Sequence, residues 1–190
     1  MLDTLNQFEI TILDAIQNSL KCDFFDKFFS VITRFADHGI GWIIVALLLL
    51  IFKKTRKTGL MVGLALIFGL IIGNATLKPL VARIRPYEIN AAMKELLLVE
   101  PLADFSFPSG HTLASFEAAT VLMLRDKKLG IPALVLAVLI AFSRLYLYVH
   151  YPTDVLAGLL LGALFGILGV LIVNKGFELY FKKTGKNPLG

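Results

Sequence analysis

The sequence predicts an all-α, polytopic transmembrane helix bundle of five spans, with six as the competing count, preceded by amphipathic N-terminal helices. Three observations predict it. Of the 190 residues, 57% are hydrophobic; the mean hydropathy is +0.77; and apolar runs near the ~20 residues that cross a bilayer recur along the chain. Backbone polar groups in lipid must be satisfied internally, so such runs are helices. The length has room for one domain, 1–190, made of an amphipathic part (1–36), a bundle (38–174) and a cytoplasmic tail (175–190). The single Cys22 excludes an internal disulfide. A net charge of +5 does not indicate nucleic acid, because the basic residues sit in short clusters between apolar runs, where they orient a chain in a bilayer. Nothing in the pattern sets an oligomeric state.

In chain order, residues 2–20 place Leu2, Leu5, Ile12, Leu13, Ile16 and Leu20 at mostly three- and four-residue steps, with Asp3, Asn6, Gln7, Asp14 and Asn18 between them. That spacing is an amphipathic helix. It lacks the basic start and continuous apolar core of a secretory signal. Residues 23–36 repeat the pattern, with Phe24, Phe25, Phe28, Phe29, Ile32 and Phe35 against Asp23, Asp26, Lys27 and Arg34. Both stretches read as helices at the interface or packed on the bundle, and a short span through 23–36 is the competing reading.

The five spans are 38–52, 58–80, 109–124, 130–149 and 153–174. Basic clusters follow the first (Lys53, Lys54, Arg56, Lys57), the third (Arg125, Lys127, Lys128) and the fifth (Lys175, Lys182, Lys183, Lys186), which sets all three on the cytoplasmic side. The N-terminal region, the 81–108 loop and the 150–152 turn then share the outer face. In the fifth span, Gly158, Gly162 and Gly166 lie four apart and predict close packing on a neighbouring helix. Glu117, an acid at depth in the third span, needs a partner on a neighbouring span, with Asn74 or Ser143 in reach.

Three polar clusters converge on the outer face. They are Lys78 to Arg85-Pro86, Phe107-Pro108-Ser109-Gly110-His111, and Ser143-Arg144 through His150 to Asp154. A charge within or near hydrocarbon costs roughly 2.5–3.5 kcal/mol, so this concentration marks a site. Pro152 suits the first position of a helix, which puts Asp154 in its first turn, one turn after His150. A carboxylate there can bond His150 and select the ring nitrogen that faces a substrate. Three cations and a helix start at Ser109-Gly110 can hold a phosphate and neutralise its oxygens. Two histidines can divide phosphoryl transfer, His150 attacking phosphorus while His111 protonates the leaving oxygen. No carboxylate stands at a comparable spacing from His111. The clusters of carboxylates or Cys/His ligands that a metal site needs are missing, and no cofactor is implied.

In spacing and order, these three clusters resemble the signature motifs of the type 2 phosphatidic acid phosphatase superfamily, which also includes vanadium haloperoxidases. The likeness spans roughly residues 70–160. It implies that Lys78, Arg85, Ser109, Gly110 and Arg144 bind phosphate, that His150 becomes phosphorylated with support from Asp154, and that His111 is the acid. It also implies a metal-independent lipid phosphatase in a bacterial cytoplasmic membrane, its site facing outward and its partners the bilayer and a phosphorylated lipid. The compact layout is most similar to bacterial undecaprenyl pyrophosphate phosphatases, while phosphatidylglycerophosphate, phosphatidic acid and lipid A 1-phosphate phosphatases share the motifs. The N-terminus departs from many bacterial members, which have a full span there. A lipid or anion transporter is the rival from another class, and it predicts polar residues along a path to the opposite face.

Overall fold

The computed structural model describes residues 2–186, whose regular elements are all helical. In chain order they are α1 (Leu2–Leu20), α2 (Asp23–Thr33), a 3-10 connector (Arg34–Gly39) and α3 (Ile40–Ile51). Next, α4 (Arg56–Phe68) runs through a π-helical stretch (Gly69–Leu77) into α5 (Lys78–Val81). The loop after α5 holds the short α6 (Pro86–Ile89) and α7 (Ala91–Glu95). Three long helices complete the bundle: α8 (Gly110–Arg125), α9 (Lys127–Tyr146) and α10 (Pro152–Thr184).

Four stretches are long and apolar enough to cross a membrane: Asp23–Ile51, Arg56–Ile89, Lys127–Tyr146 and Pro152–Thr184. The expected count of five is therefore too high by one, and 109–124 is the stretch that does not qualify. There α8 has 16 residues, about 24 Å at 1.5 Å per residue. It packs against α3, α4, α9 and α10, and nine of its residues are buried. A helix sheathed by other helices need not be apolar all round, so α8 can carry Thr112, Ser115 and Glu117 inside the bundle. No sixth span forms at 23–36 either, because α2 is joined to α3 within a single 29-residue stretch.

The core surrounds α8, with Trp42, Met61, Phe116, Val121 and Ile140 among its buried members. Trp42 Nε1 donates to Ser115 Oγ at 2.9 Å, tying α3 to α8. The glycine stripe of α10 lies on the same helix. A Cβ at Gly158 would meet the Ser109 carbonyl at 2.8 Å, and one at Gly162 the Leu113 carbonyl at 2.6 Å. Glu117 does not pair with either expected partner. Its carboxylate lies against Gly69 at the start of the π-helical stretch, with Oε1 buried and without a hydrogen-bond partner among the described residues, while Ser143 Oγ donates to the Ile140 carbonyl at 2.6 Å. At the opposite end of the bundle, Lys57 lies 4.9 Å above the Phe177 ring, joining the start of α4 to the end of α10.

Two boundaries move. The helix α9 stops at Tyr146 instead of 149, and Leu147–Val149 turn back through Tyr148, whose φ is 60°. Tyr148 is held there, donating to Asp14 at 2.8 Å and accepting from Asn90 at 3.2 Å. The other shift lengthens α10, so residues 175–184 of the expected tail remain helical, and residues 187–190 lie outside the described residues. On α1 the buried stripe is Asn6, Glu9, Ile10 and Leu13, while Leu5 and Phe8 are exposed. The helix is amphipathic as expected, but two of its polar side chains face into the protein.

Candidate active site

Local backbone explains how Lys78 to Arg85 can aim several cations at one place. After α5 the chain turns through Ala82 (φ 48°), and residues 82–85 belong to no helix. Residues two apart in extended chain share a side. Arg83 and Arg85 are accordingly buried, while Ile84 between them is exposed. Arg85 donates to the carbonyls of Asp104 (2.9 Å), Val149 (2.7 Å) and Phe105 (3.2 Å) and to the Asp104 carboxylate at 2.5 Å. Lys78 also pairs with Asp104. Burial acts to raise the Asp104 carboxyl, but the bonds and charges of Lys78 and Arg85 outweigh it and hold the group at about 2. A carboxylate thus occupies donors that are suited to a phosphate.

His150 stands in the turn between α9 and α10. Its Nε2 lies 3.2 Å from Arg85 Nη1, and its Nδ1 lies 3.5 Å from Asp154 Oδ2 and 3.4 Å from Ser106 Oγ. A guanidinium can only donate, so Nε2 carries the lone pair and Nδ1 the proton. Burial drives His150 down to about 3, with Arg85 and Arg144 adding to the effect and the Asp154 hydrogen bond opposing it. The imidazole is therefore neutral at pH 7, its Nε2 lone pair turned toward Arg85.

Asp154 is anchored from four sides. The Tyr151 N–H donates to Oδ2 at 3.0 Å, Ser106 Oγ donates to Oδ2 at 2.5 Å, and Arg83 Nη1 donates to Oδ1 at 2.6 Å, besides the contact with His150. Arg83 also reaches back to α1. It donates to Asn6 (2.6 Å) and Glu9 (2.5 Å), and to Thr153 Oγ1 (2.7 Å), with its guanidinium 3.8 Å above the Tyr151 ring. Glu9 in turn accepts from the Thr153 N–H at 2.6 Å.

At the start of α8, Ser109 is the N-cap, its hydroxyl 2.9 Å from Thr112 Oγ1 and its N–H donating to the Asp154 carbonyl at 3.1 Å. A Cβ on Gly110 would stand 3.0 Å from Asn74 Oδ1, so glycine allows the π-helical stretch to approach there. His111 Nε2 lies 2.8 Å from Asp37 Oδ1. No carboxylate stands near His111 in sequence, as the spacing indicates, and Asp37 reaches it from 74 residues away through the fold. Arg144, fully buried on α9, donates through Nη1 to Thr33 Oγ1 at 2.5 Å.

Lys78, Arg85, Gly110, His111, Arg144 and His150 all line one cavity of about 1870 Å³. Ser109 and Asp154 are fully buried and lie behind that wall. Away from the cations the cavity continues between apolar side chains, including Leu47, Leu60, Leu64 and Ile67. Spacing missed Arg83, Asp104, Ser106, Glu9 and Asp37. Arg83 carried a signal, its two-residue step from Arg85 in a stretch ending at proline, and so did Asp37, within the turn-forming Asp-His-Gly. The others are placed by tertiary packing alone.

The PAP2 superfamily pattern matches residues 58–178. An undecaprenyl-diphosphatase of Sulfolobus acidocaldarius is 40% identical over 71% of this chain and 65% of its own length. Undecaprenyl-diphosphatase BcrC of Bacillus subtilis is 31% identical over 75% of this chain and 72% of its own. The crystal structure of a transmembrane PAP2-type phosphatidylglycerolphosphate phosphatase from Bacillus subtilis superposes with a TM-score of 0.72 at 26% identity, covering 90% of this chain and 87% of that one. The chain is an integral membrane protein, and it belongs to the PAP2 superfamily.

Proposed function

We propose that the chain is a lipid phosphatase of the cytoplasmic membrane that releases the terminal phosphate of undecaprenyl pyrophosphate at the outer face, through a phosphohistidine on His150. The observation that carries this reading is the two-part cavity, with a cationic head at Lys78, Arg85 and Arg144 and an apolar groove along Leu47, Leu60 and Leu64. A phosphorylated head and a long hydrocarbon chain are the two halves of one ligand. The named activities of the Sulfolobus and Bacillus relatives support the polyprenyl diphosphate in particular. Transport of the head across the bilayer would need an unbroken run of polar groups down the groove, whereas Leu47, Leu50, Leu60, Leu64 and Phe177 line much of it, with Asn74, Glu117 and Tyr180 as isolated polar members.

In the first step, Nε2 of His150 bonds to phosphorus, the bond to the leaving oxygen breaks, and that oxygen takes a proton from His111. Lys78, Arg85, Arg144 and the N–H groups opening α8 neutralise the equatorial oxygens. The charge gained by the phosphorylated imidazole is met through Nδ1–H by Asp154. Water then bonds to phosphorus and gives a proton to His111, the P–N bond breaks, and orthophosphate leaves with both histidines restored.

The test is phosphate release by purified protein in detergent with a chelator present, on undecaprenyl pyrophosphate, phosphatidylglycerophosphate, phosphatidic acid and lipid A 1-phosphate, with acid-quench trapping of labelled phosphate. Release from undecaprenyl pyrophosphate, with label on His150 that vanishes in His150→Ala, is the expected result. Preference for another lipid would move the substrate and keep the chemistry. Label retained by His150→Ala, or no release from any lipid, would sink the reading.

A further inference from the structure

We infer that Asp37 is the positioning residue for the acid His111, so that the site holds a second carboxylate–histidine pair built from the connector between α2 and α3. The inference rests on the role proposed above for His111 and deepens it. Its basis is the 2.8 Å contact between His111 Nε2 and Asp37 Oδ1, with both residues lining the same cavity as His150.

The connector is shaped for this contact. Helical geometry breaks at Asp37 (φ −57°, ψ 123°), and His38 and Gly39 follow with φ of 51° and 72°. A left-handed conformation at a residue with a Cβ costs about 1–2 kcal/mol. Such strain persists where the surroundings enforce it. The connector is pinned a few residues upstream, where Thr33 accepts from Arg144 at 2.5 Å, and just downstream, where Trp42 is fixed to Ser115 of α8 at 2.9 Å. Between those two anchors the chain leaves the helical path and lays the Asp37 carboxylate against the ring.

A carboxylate on one nitrogen fixes an imidazole's orientation and favours a proton on the ring. That serves an acid whose proton must go to the leaving oxygen as the P–O bond breaks and must then be recovered from the attacking water. The Asp37 side chain is half exposed and His111 is 13% exposed, so the pair opens on the cavity through which substrate and water arrive.

An acid matters in proportion to how badly the leaving group needs a proton. The experiment therefore compares dodecyl phosphate, whose alkoxide leaves poorly, with p-nitrophenyl phosphate, whose phenolate leaves without help. The measured quantity is kcat/KM, which covers phosphoryl transfer to His150 and excludes the later hydrolysis. Purified full-length Asp37→Asn should lose about tenfold or more on dodecyl phosphate and less than about threefold on p-nitrophenyl phosphate. Asp37→Glu should recover part of the loss, and adding Asp37→Asn to His111→Ala should cost nothing further, because the two act as one unit. Equal losses on both substrates, or none, would overturn the inference, as would additive losses in the double variant. If His111→Ala itself shows no contrast between the substrates, the reading of His111 as the acid falls and this inference with it. If His111→Ala shows the contrast and Asp37→Asn does not, only the role of Asp37 falls. Should Asp37→Asn fail to fold, Asp37→Glu carries the same comparison.

Discussion

Two histidines face one cavity, each against a carboxylate, and the two pairs are built in opposite ways. His150 and Asp154 are four residues apart, both essentially inaccessible, and the carboxylate is further held by Arg83, Ser106 and the Tyr151 N–H. His111 and Asp37 are 74 residues apart, and the carboxylate is half open on a kinked connector. The contrast suits the tasks proposed for them. A nucleophile has to keep one protonation state and one direction, which dense packing secures. An acid has to give up and regain a proton in every turnover, which needs contact with water.

The comparison breaks most severely if the closed pair can be opened without harm. Arg83→Leu leaves Glu9 and Asp154 buried with a charge partner removed from each, and breaking a buried pair costs about 3–5 kcal/mol. A large drop in thermal midpoint in detergent is expected, with activity falling on dodecyl and p-nitrophenyl phosphate alike, since the nucleophile serves both. A variant as stable and active as the parent would show that the closed pair stands without Arg83.

A smaller effect sharpens the difference in proton access. The folded-state value of His150 lies at about 3 against an ordinary 6.5. Between those values the unfolded chain binds a proton that folded His150 refuses, so stability is complete above about 6.5 and is lost as pH falls toward 3. The midpoint of the parent should decline over that window, and His150→Ala should decline less. Identical slopes would mean that His150 is not sealed from protons.

The smallest expected effect lies between the two pairs, at Asp104. Its carboxylate engages Lys78 and Arg85 although it is 52% exposed, and it must release them before an anion can take the same donors. Asp104→Asn should tighten competitive inhibition by vanadate by up to about tenfold, equivalent to about 1.4 kcal/mol. Unchanged or weaker inhibition would make the contact incidental to anion binding.

How far the sequence foretold all this depends on how local each feature is. The start of α10 at Pro152, with Asp154 one turn beyond His150, follows from spacing and the helical repeat, and the structure places it there. The glycine stripe of α10 is periodic and equally local. Hydropathy overcounted the spans because a run of apolar and small residues looks the same whether lipid or protein surrounds it, and α8 is surrounded by protein. Periodicity found the helix α1 but could not orient its polar side, since Asn6 and Glu9 turn inward only because Arg83 awaits them. The turn at Asp37 was legible in Asp-His-Gly, but its pairing with His111 was not, for the same reason. Its partner is chosen by the packing of α3 on α8.

The long reach of α1 bears on when during synthesis the end of the bundle that carries His150 can close. Glu9 meets Thr153 across 144 residues, Asp14 meets Tyr148 across 134, and Gln17 meets Tyr146 across 129. Loop closure over such distances costs only slightly more than over half of them, because the entropy grows with the logarithm of length. What delays these contacts is the order of synthesis. A nascent chain that stops before Thr153 already holds Glu9 and Arg83 but lacks the amide, the hydroxyl and the Asp154 carboxylate that complete their network. The first helix made is thus among the last to find its partners, and the end that carries His111 and His150 stays open until α10 has begun.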